Sequence, residues 1–223
     1  MSLETWAPFQ VCALALEHAR RMAEGAGPTD GGPACLYIHS GSGLGKTHLL
    51  SAIASHRGSD VLLANVAQLA AAFGRVERMG SLTHLEDWLT SPRLLLLDDL
   101  QACGDSRALQ RALQTSIARM LDSGGAVAIA ADVPPRGLKR IRGRLRSLVA
   151  SGEVVELAMG TAAERLDLLR AMRLDLADEV LRPIAESIDD SVTRLKTVAA
   201  RAARLAQRPQ GPEAAAAAEE ALL

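Results

Sequence analysis

Ser40-Gly41-Ser42-Gly43-Leu44-Gly45-Lys46-Thr47 decides how this chain is read. The apolar run Cys35-Leu36-Tyr37-Ile38 precedes it, and a helical pattern, Thr47-His48-Leu49-Leu50-Ser51-Ala52-Ile53-Ala54, follows. Strand, glycine loop, Lys-Thr and helix is the order that grips the phosphates of a nucleotide. Successive backbone N–H groups form an anion nest, and the helix N-terminus adds positive potential. Lys46 is expected to reach the β- and γ-phosphates, and the Thr47 hydroxyl is expected on Mg²⁺. Ser40 stands where the usual pattern has glycine, so the turn requires a backbone angle open to a residue with a Cβ.

The run Arg93-Leu94-Leu95-Leu96-Leu97-Asp98-Asp99-Leu100 supplies the second half of the expected site. Unbroken apolar character suits a parallel strand covered on both faces. Ligands of open α/β sheets bind at the carboxyl ends of such strands. Asp98 is therefore expected to hold Mg²⁺, directly or through water. Asp99 is expected to face the γ-phosphate and orient an attacking water.

Working outward, the pattern predicts a helix over 8–24 with Val11, Leu14, Ala15 and Ala19 on its buried face. It predicts strands at 35–38, 61–64, 94–97, 126–130 and 154–157. Asn65 is expected to cap a helix from Val66 to about Phe73. A polar connection over 74–90 carries a short helix near 82–89, and an amphipathic helix covers 106–121. Alternating helices and strands give a three-layer P-loop α/β sandwich with a parallel five-stranded sheet. From residue 161 the signal is helical. Thr161 and Glu164 read as a capping box, a second helix covers 177–187, and Asp190 is expected to cap a third running to about Gln207. The expected organisation is a nucleotide-binding domain over 1–160, a small helical lid over 161–207, and a disordered tail over 208–223.

At 223 residues and 48% apolar content, the chain can bury a core of this size. Its 25 basic and 26 acidic residues cancel, so global charge gives no argument for nucleic acid or an anionic membrane. Cys12, Cys35 and Cys103 are too widely spaced for a metal or disulfide framework, and a reducing, cytoplasmic setting is the expectation. The histidines show no metal-binding spacing. There is no apolar stretch long enough to span a membrane and no signal-peptide pattern. Aromatic residues are too few to form platforms for stacking single-stranded bases.

Leu44-Gly45-Lys46-Thr47-His48-Leu49-Leu50 resembles the phosphate loop of the bacterial replication initiator DnaA family, a branch of the AAA+ ATPases. Leu97-Asp98-Asp99-Leu100-Gln101 resembles that family's second motif. Asp132-Val133-Pro134-Pro135 with Arg144-Leu145-Arg146-Ser147 resembles the segment after the fourth strand. Asp190-Ser191-Val192-Thr193-Arg194-Leu195 resembles the start of the last lid helix. The resemblance spans about residues 8–205 and implies ATP or ADP with Mg²⁺ as cofactors. Ser40 through Thr47, His48 and Arg194 are then the nucleotide-binding set, Thr47 and Asp98 the metal ligands, and Lys46 and Asp99 the catalytic pair. In size the chain is closest to the family's regulatory relative Hda. No segment after 207 is long enough for the helix-turn-helix domain that reads duplex DNA, and residues 1–8 hold no convincing clamp-binding motif. The implied partners are a replication initiator, a helicase or a sliding clamp, with a monomer or a nucleotide-dependent oligomer as the assembly.

Departures from the family pattern bear on turnover. Leu148 stands where the family carries an arginine finger, and leucine cannot neutralise phosphoryl charge. Ala130 and Ala131 stand at polar sensor positions, with Asp132 retained. Thr193 occupies the position of the last-helix arginine, with Arg194 next to it, and one residue turns a helical side chain by about 100°. Weak or absent hydrolysis is expected from these changes. Trp6 and Phe9 either wall an adenine or plug the core. Arg136, Lys139, Arg140, Arg142, Arg144 and Arg146 form either a solvated face, a subunit contact or a weak, nonspecific DNA contact. Arg107, Arg111 and Arg119 are expected to bridge to acids such as Asp105 and Asp122.

Overall fold

The computed structural model describes residues 9–25, 34–78 and 82–206, without the side chains of 74–78 and 82–83. Trp6 and the expected tail lie outside the described residues. Five parallel strands, β1 (Cys35–His39), β2 (Val61–Asn65), β3 (Leu94–Asp98), β4 (Ala126–Ala131) and β5 (Glu153–Glu156), form one sheet in the order β2-β3-β4-β1-β5. The helices are α1 (Ala13–Glu24), α2 (Lys46–Arg57), α3 (Val66–Arg78), α4 (Leu82–Leu89), α5 (Arg107–Asp122), α6 (Gly143–Val149), α7 (Ala162–Ala171), α8 (Asp178–Ser187) and α9 (Val192–Ala206).

The apolar runs became buried strands because both faces of the sheet are covered. Tyr37, Leu95, Leu97, Val127 and Ile129 join a core with Leu109, Leu113 and Ile117 of α5 and Leu145 and Val149 of α6. Strand alternation turns Leu36, Ile38, Leu96 and Ala128 to the opposite face, where α2 packs against β2, β3 and β4. Cys12, Cys35 and Cys103 are all buried and free. Burial pushes the Cys35 thiol up to about 12.

Contacts divide the described chain into two units, one of residues 14–25, 34–40, 46–78 and 82–157, the other of 9–13, 41–45 and 158–206. The second unit has its own core, with Leu169, Ile184, Ile188, Leu195 and Ala199 fully buried. Arg165 is buried in it and donates to the carbonyls of Ala185 and Gly160. The Thr161–Glu164 capping box forms as the sequence indicates.

Several local expectations are corrected. A 3₁₀ turn at Gln10–Cys12 precedes α1 and rotates its faces, so Val11 and Leu14 are 55% and 58% exposed while Cys12, Leu16 and Met22 are buried. Phe9 is buried, with its ring against Gly160, as a core plug. Helix α3 continues to Arg78, and α6 arises inside the basic run because Leu145 and Val149, four residues apart, both reach the core. Ser191, rather than Asp190, caps α9, accepting from the Arg194 N–H at 3.2 Å. Arg119 lies near Glu86 and Asp87, Asp105 pairs with Arg140, and neither Arg107 nor Arg111 forms an ion pair among the described residues.

Candidate nucleotide site

The strand order places four chain ends side by side at the carboxyl edge of the sheet. Parallel registry sets Asn65 of β2 opposite Asp98 of β3, and β4 lies between β3 and β1. Asp132 follows β4 directly, and Ser40 follows β1, its N–H donating to the Ala131 carbonyl at 3.3 Å. Residues distant in sequence meet here because the parallel sheet aligns strand ends.

Lys46, the first residue of α2, is 6% exposed. Its ammonium lies 2.9 Å from the Ser40 carbonyl oxygen and 2.9 Å from Asp132 Oδ1. Ser40 is buried and its φ is not positive, so a Cβ is tolerated where the usual pattern has glycine. Only Gly43 and Gly45 of the loop use the left-handed region, at φ 78° and 97°. Within the second unit, the Gly43 carbonyl accepts from the Thr193 N–H at 3.2 Å, and a side chain at Gly43 would overlap Ser191. Gly41 and Ser42 are exposed; Leu44 and His48 are half-buried.

Thr47 Oγ1 donates to Asp98 Oδ2 at 2.7 Å, and the Asp99 N–H donates to Asp98 Oδ1 at 3.1 Å. Burial raises the Asp98 carboxyl above its ordinary value; the Thr47 bond opposes that shift and the neighbouring Asp99 charge adds to it. A carboxylate held up by desolvation gains from a divalent cation. A hydroxyl and a carboxylate side by side form the hard oxygen pair that Mg²⁺ takes.

Asp99 sits in the left-handed region at φ 59°, which turns its carboxylate toward β2. Asn65 Nδ2 donates to it at 3.0 Å and Gln101 Nε2 at 3.3 Å. Gln101 Nε2 also donates to Asp132 Oδ2 at 2.9 Å, and the Asp132 N–H donates back to Gln101 Oε1 at 3.3 Å. One polar chain thus runs from Asn65 through Asp99, Gln101 and Asp132 to Lys46. Sequence reasoning assigned Asn65 only a capping role, which it also fills by accepting from the Gln68 N–H at 3.1 Å. It gave Gln101 no role. No local pattern marks either contact, since both depend on strand registry.

Ala130 and Ala131 are fully buried strand residues with no polar reach. Leu148 packs against the main core. Arg194 is exposed and paired with Asp190 at 3.1 Å. No group of three or more metal-ligating side chains occurs among the described residues, and no described helix is long and apolar enough to cross a membrane.

The bacterial DnaA ATPase domain model matches residues 2–156. A chromosomal replication initiator protein DnaA from Rhodopseudomonas palustris is 37% identical over 192 residues, covering 81% of this chain and 40% of that protein. The chain therefore spans about two fifths of the length of the curated relatives it matches. Domain III of the Thermotoga maritima replication initiation protein DnaA superposes with a TM-score of 0.85 at 24% identity, covering 98% of this chain and 95% of that one. AMPPCP-bound DnaA from Aquifex aeolicus gives a TM-score of 0.78 at 24% identity, covering 88% of this chain and 62% of that one. With the family model covering most of the chain, this protein belongs to the DnaA family, through that family's AAA+ ATPase domain.

Proposed function

We propose that this chain is a DnaA/Hda-like regulator of replication that binds ATP or ADP with Mg²⁺, with weak or no hydrolysis. The observation that carries the reading is the convergence of Lys46, Thr47, Asp98 and Asp99 at one end of the sheet. The Ser40–Thr47 backbone and Lys46 hold the phosphates, and Arg194 is the candidate contact from the last helix. Thr47 and Asp98 hold the metal, whose positive charge offsets that of the phosphate oxygens. Asp99 orients a water and Lys46 meets the transferring phosphoryl group. Weak turnover follows from Leu148 packed into the core and from Ala130 and Ala131 at positions that offer no polar group. Its output is a nucleotide-dependent contact with an initiator, a helicase or a sliding clamp, as a monomer or a nucleotide-dependent oligomer.

Calorimetry with ATP, ADP and Mg²⁺ tests the reading. Micromolar binding that disappears in Lys46→Ala supports it. Absence of binding to the folded native chain rejects it. One observation favours a second reading, a scaffold without nucleotide control. Lys46 is already neutralised by Asp132, and Arg194 by Asp190, so both cations are satisfied within the protein. Partner capture unchanged by nucleotide, in a chain that does not bind it, would select the scaffold.

A further inference from the structure

Gln101 sits in the middle of the polar chain that joins Asn65 to Lys46. It lies in the 3₁₀ turn Leu100–Cys103 after β3, and its amide meets two carboxylates at once. Nε2 lies 3.3 Å from Asp99 Oδ1 and 2.9 Å from Asp132 Oδ2, and Oε1 accepts from the Asp132 N–H at 3.3 Å. That last bond fixes which way the amide points, because a backbone N–H can only donate. The amide nitrogen therefore faces the carboxylates and offers one hydrogen to each.

Asp132 is the pivot. Its side chain is 46% exposed, yet the backbone on both sides of it is pinned. The Ser40 N–H donates to the Ala131 carbonyl at 3.3 Å, and the Tyr37 hydroxyl donates to the Val133 carbonyl at 2.8 Å. Tyr37 is fully buried; burial first, and the Asp132 charge second, push its phenol up, so it stays a donor. The Asp132 carboxylate thus keeps one oxygen on Lys46 at 2.9 Å and the other on Gln101. A phosphate that engages Lys46 competes for that cation and brings negative charge beside Asp132. The amide hydrogen of Gln101 is then worth more to Asp132, since bonds to an unneutralised carboxylate are the stronger ones. Of the two carboxylate bonds of Gln101, the one to Asp99 is the longer and the one that yields, while Asn65 Nδ2 still holds Asp99 Oδ2 at 3.0 Å.

We infer that Gln101 is a positioning residue that ties the phosphate lysine to Asp99: it supports Asp132 when phosphate engages Lys46, and in turning toward Asp132 it frees one Asp99 oxygen to accept from a water. Gln101 acts through Asp132 and Asp99, and its role rests on the nucleotide reading given above.

Calorimetry with ADP and Mg²⁺ on the native chain, Gln101→Met, Asp132→Asn and the double variant reads the first half of this role. Methionine keeps the length of the side chain and removes its hydrogen bonds. Gln101→Glu is the second variant; it can still accept from the Asp132 N–H but sets a third carboxylate against the other two. Thermal unfolding checks the fold of each. Gln101→Met should weaken ADP binding about fivefold in the native background and less than about twofold beside Asp132→Asn. Gln101→Glu should weaken it at least as much as Gln101→Met. A side chain that merely packs would cost the same in both backgrounds. Carbon-13 NMR of the aspartate carboxyls reads the second half. The Asp99 signal, assigned by its loss in Asp99→Asn, should move on saturation with Mg²⁺-free ADP and move less in Gln101→Met. Equal losses in the two backgrounds, or an Asp99 response indifferent to Gln101, overturns the inference and leaves the nucleotide reading standing. No ADP binding by the folded native chain overturns both.

Discussion

Gln110→Leu tests whether one buried amide holds the basic segment in place. The substitution keeps the volume and removes three hydrogen bonds, to the Gly104 carbonyl at 2.5 Å, the Arg142 N–H at 2.8 Å and the Arg140 carbonyl at 2.9 Å. At about 1 kcal/mol net for each bond, with partial offset from the added apolar burial and a further cost for stranded partners, the loss is about 3 kcal/mol. With a urea m-value of about 2–3 kcal/mol/M, that lowers the midpoint by about 1 M. Circular dichroism in urea reads it directly. Gln110→Glu adds a second, independent test. A carboxylate still accepts from the Arg142 N–H but faces two carbonyl oxygens to which it cannot donate. Burial and those oxygens raise its folded-state pKa, so its penalty grows as pH rises past the ordinary glutamate range and shrinks in acid, where the protonated group donates again. The Glu variant should therefore lie closer to native stability at pH 5 than at pH 8. A Leu variant within about 0.5 kcal/mol of native would refute the reasoning. Leu138 and Ile141 alone would then anchor the segment, and the placement of Arg142 by Gln110 would fall with it.

A Cβ at Gly152 would overlap the backbone carbonyl of Cys35, so Gly152→Ala should spread β1 from β5 and cost about 2–3 kcal/mol by thermal unfolding. Gly143→Ala, at a site with open space and no positive φ, should be neutral or slightly stabilising. Asp99→Asn keeps a residue that tolerates the left-handed region but sets an amide NH₂ against one of its two amide donors, Asn65 or Gln101, and should lose about 1 kcal/mol, whereas Asp99→Val, which loses both acceptors and strains the backbone, should lose about 2–4 kcal/mol. Any ATP turnover should vanish in the Asn variant. The N–H groups of Gln10 and Thr161 and the Thr161 hydroxyl hold the Glu164 carboxyl below its ordinary value. That stability is present above the unfolded glutamate pKa and is lost as pH falls through the lower folded value. Melting temperatures of Glu164→Gln should therefore depend less on pH over that acid window than those of the native chain.

What was legible in the sequence was chemistry carried by neighbours in the chain. The 40–47 loop, the Asp98-Asp99 pair and the Thr161–Glu164 box each lie within one short segment, so residue type and spacing state the geometry. The strands were legible because a sheet covered on both faces leaves unbroken apolar runs. Contacts made across the sheet were not legible. Lys46 with Asp132, and Asn65 with Asp99, join residues 86 and 34 apart whose meeting depends on strand order and registry. Val11 and Leu14 were misread because a single 3₁₀ turn shifts the helical phase of every residue around it. At the last helix, Asp190 and Ser191 are both capping types. The backbone phase chooses Ser191 and leaves Asp190 to pair with Arg194. Helix α6 was hidden because its exposed face is basic, and Leu145, Leu148 and Val149 alone report the buried one.

If Leu148 stands at the position of the family's arginine finger, the same helix decides where a substitute cation can come from. Leu148 is turned to the core, so its position offers no charge. Arg146, two residues back, lies about 200° around the helix, on a different face. Arg144, four back, lies within about 40° of Leu148 and about 6 Å along the axis. That separation is within the length of an arginine side chain, and Arg144 is exposed. If copies of this chain, or this chain and another family member, meet across this helix with ATP between them, Arg144 is the arginine placed to face the phosphates. Turnover should then rise more steeply than protein concentration and lose that dependence in Arg144→Ala, while Arg146→Ala retains it. A rate per chain that is constant with concentration and indifferent to Arg144 would remove intersubunit catalysis, and hydrolysis would rest on Lys46 and Asp99 alone.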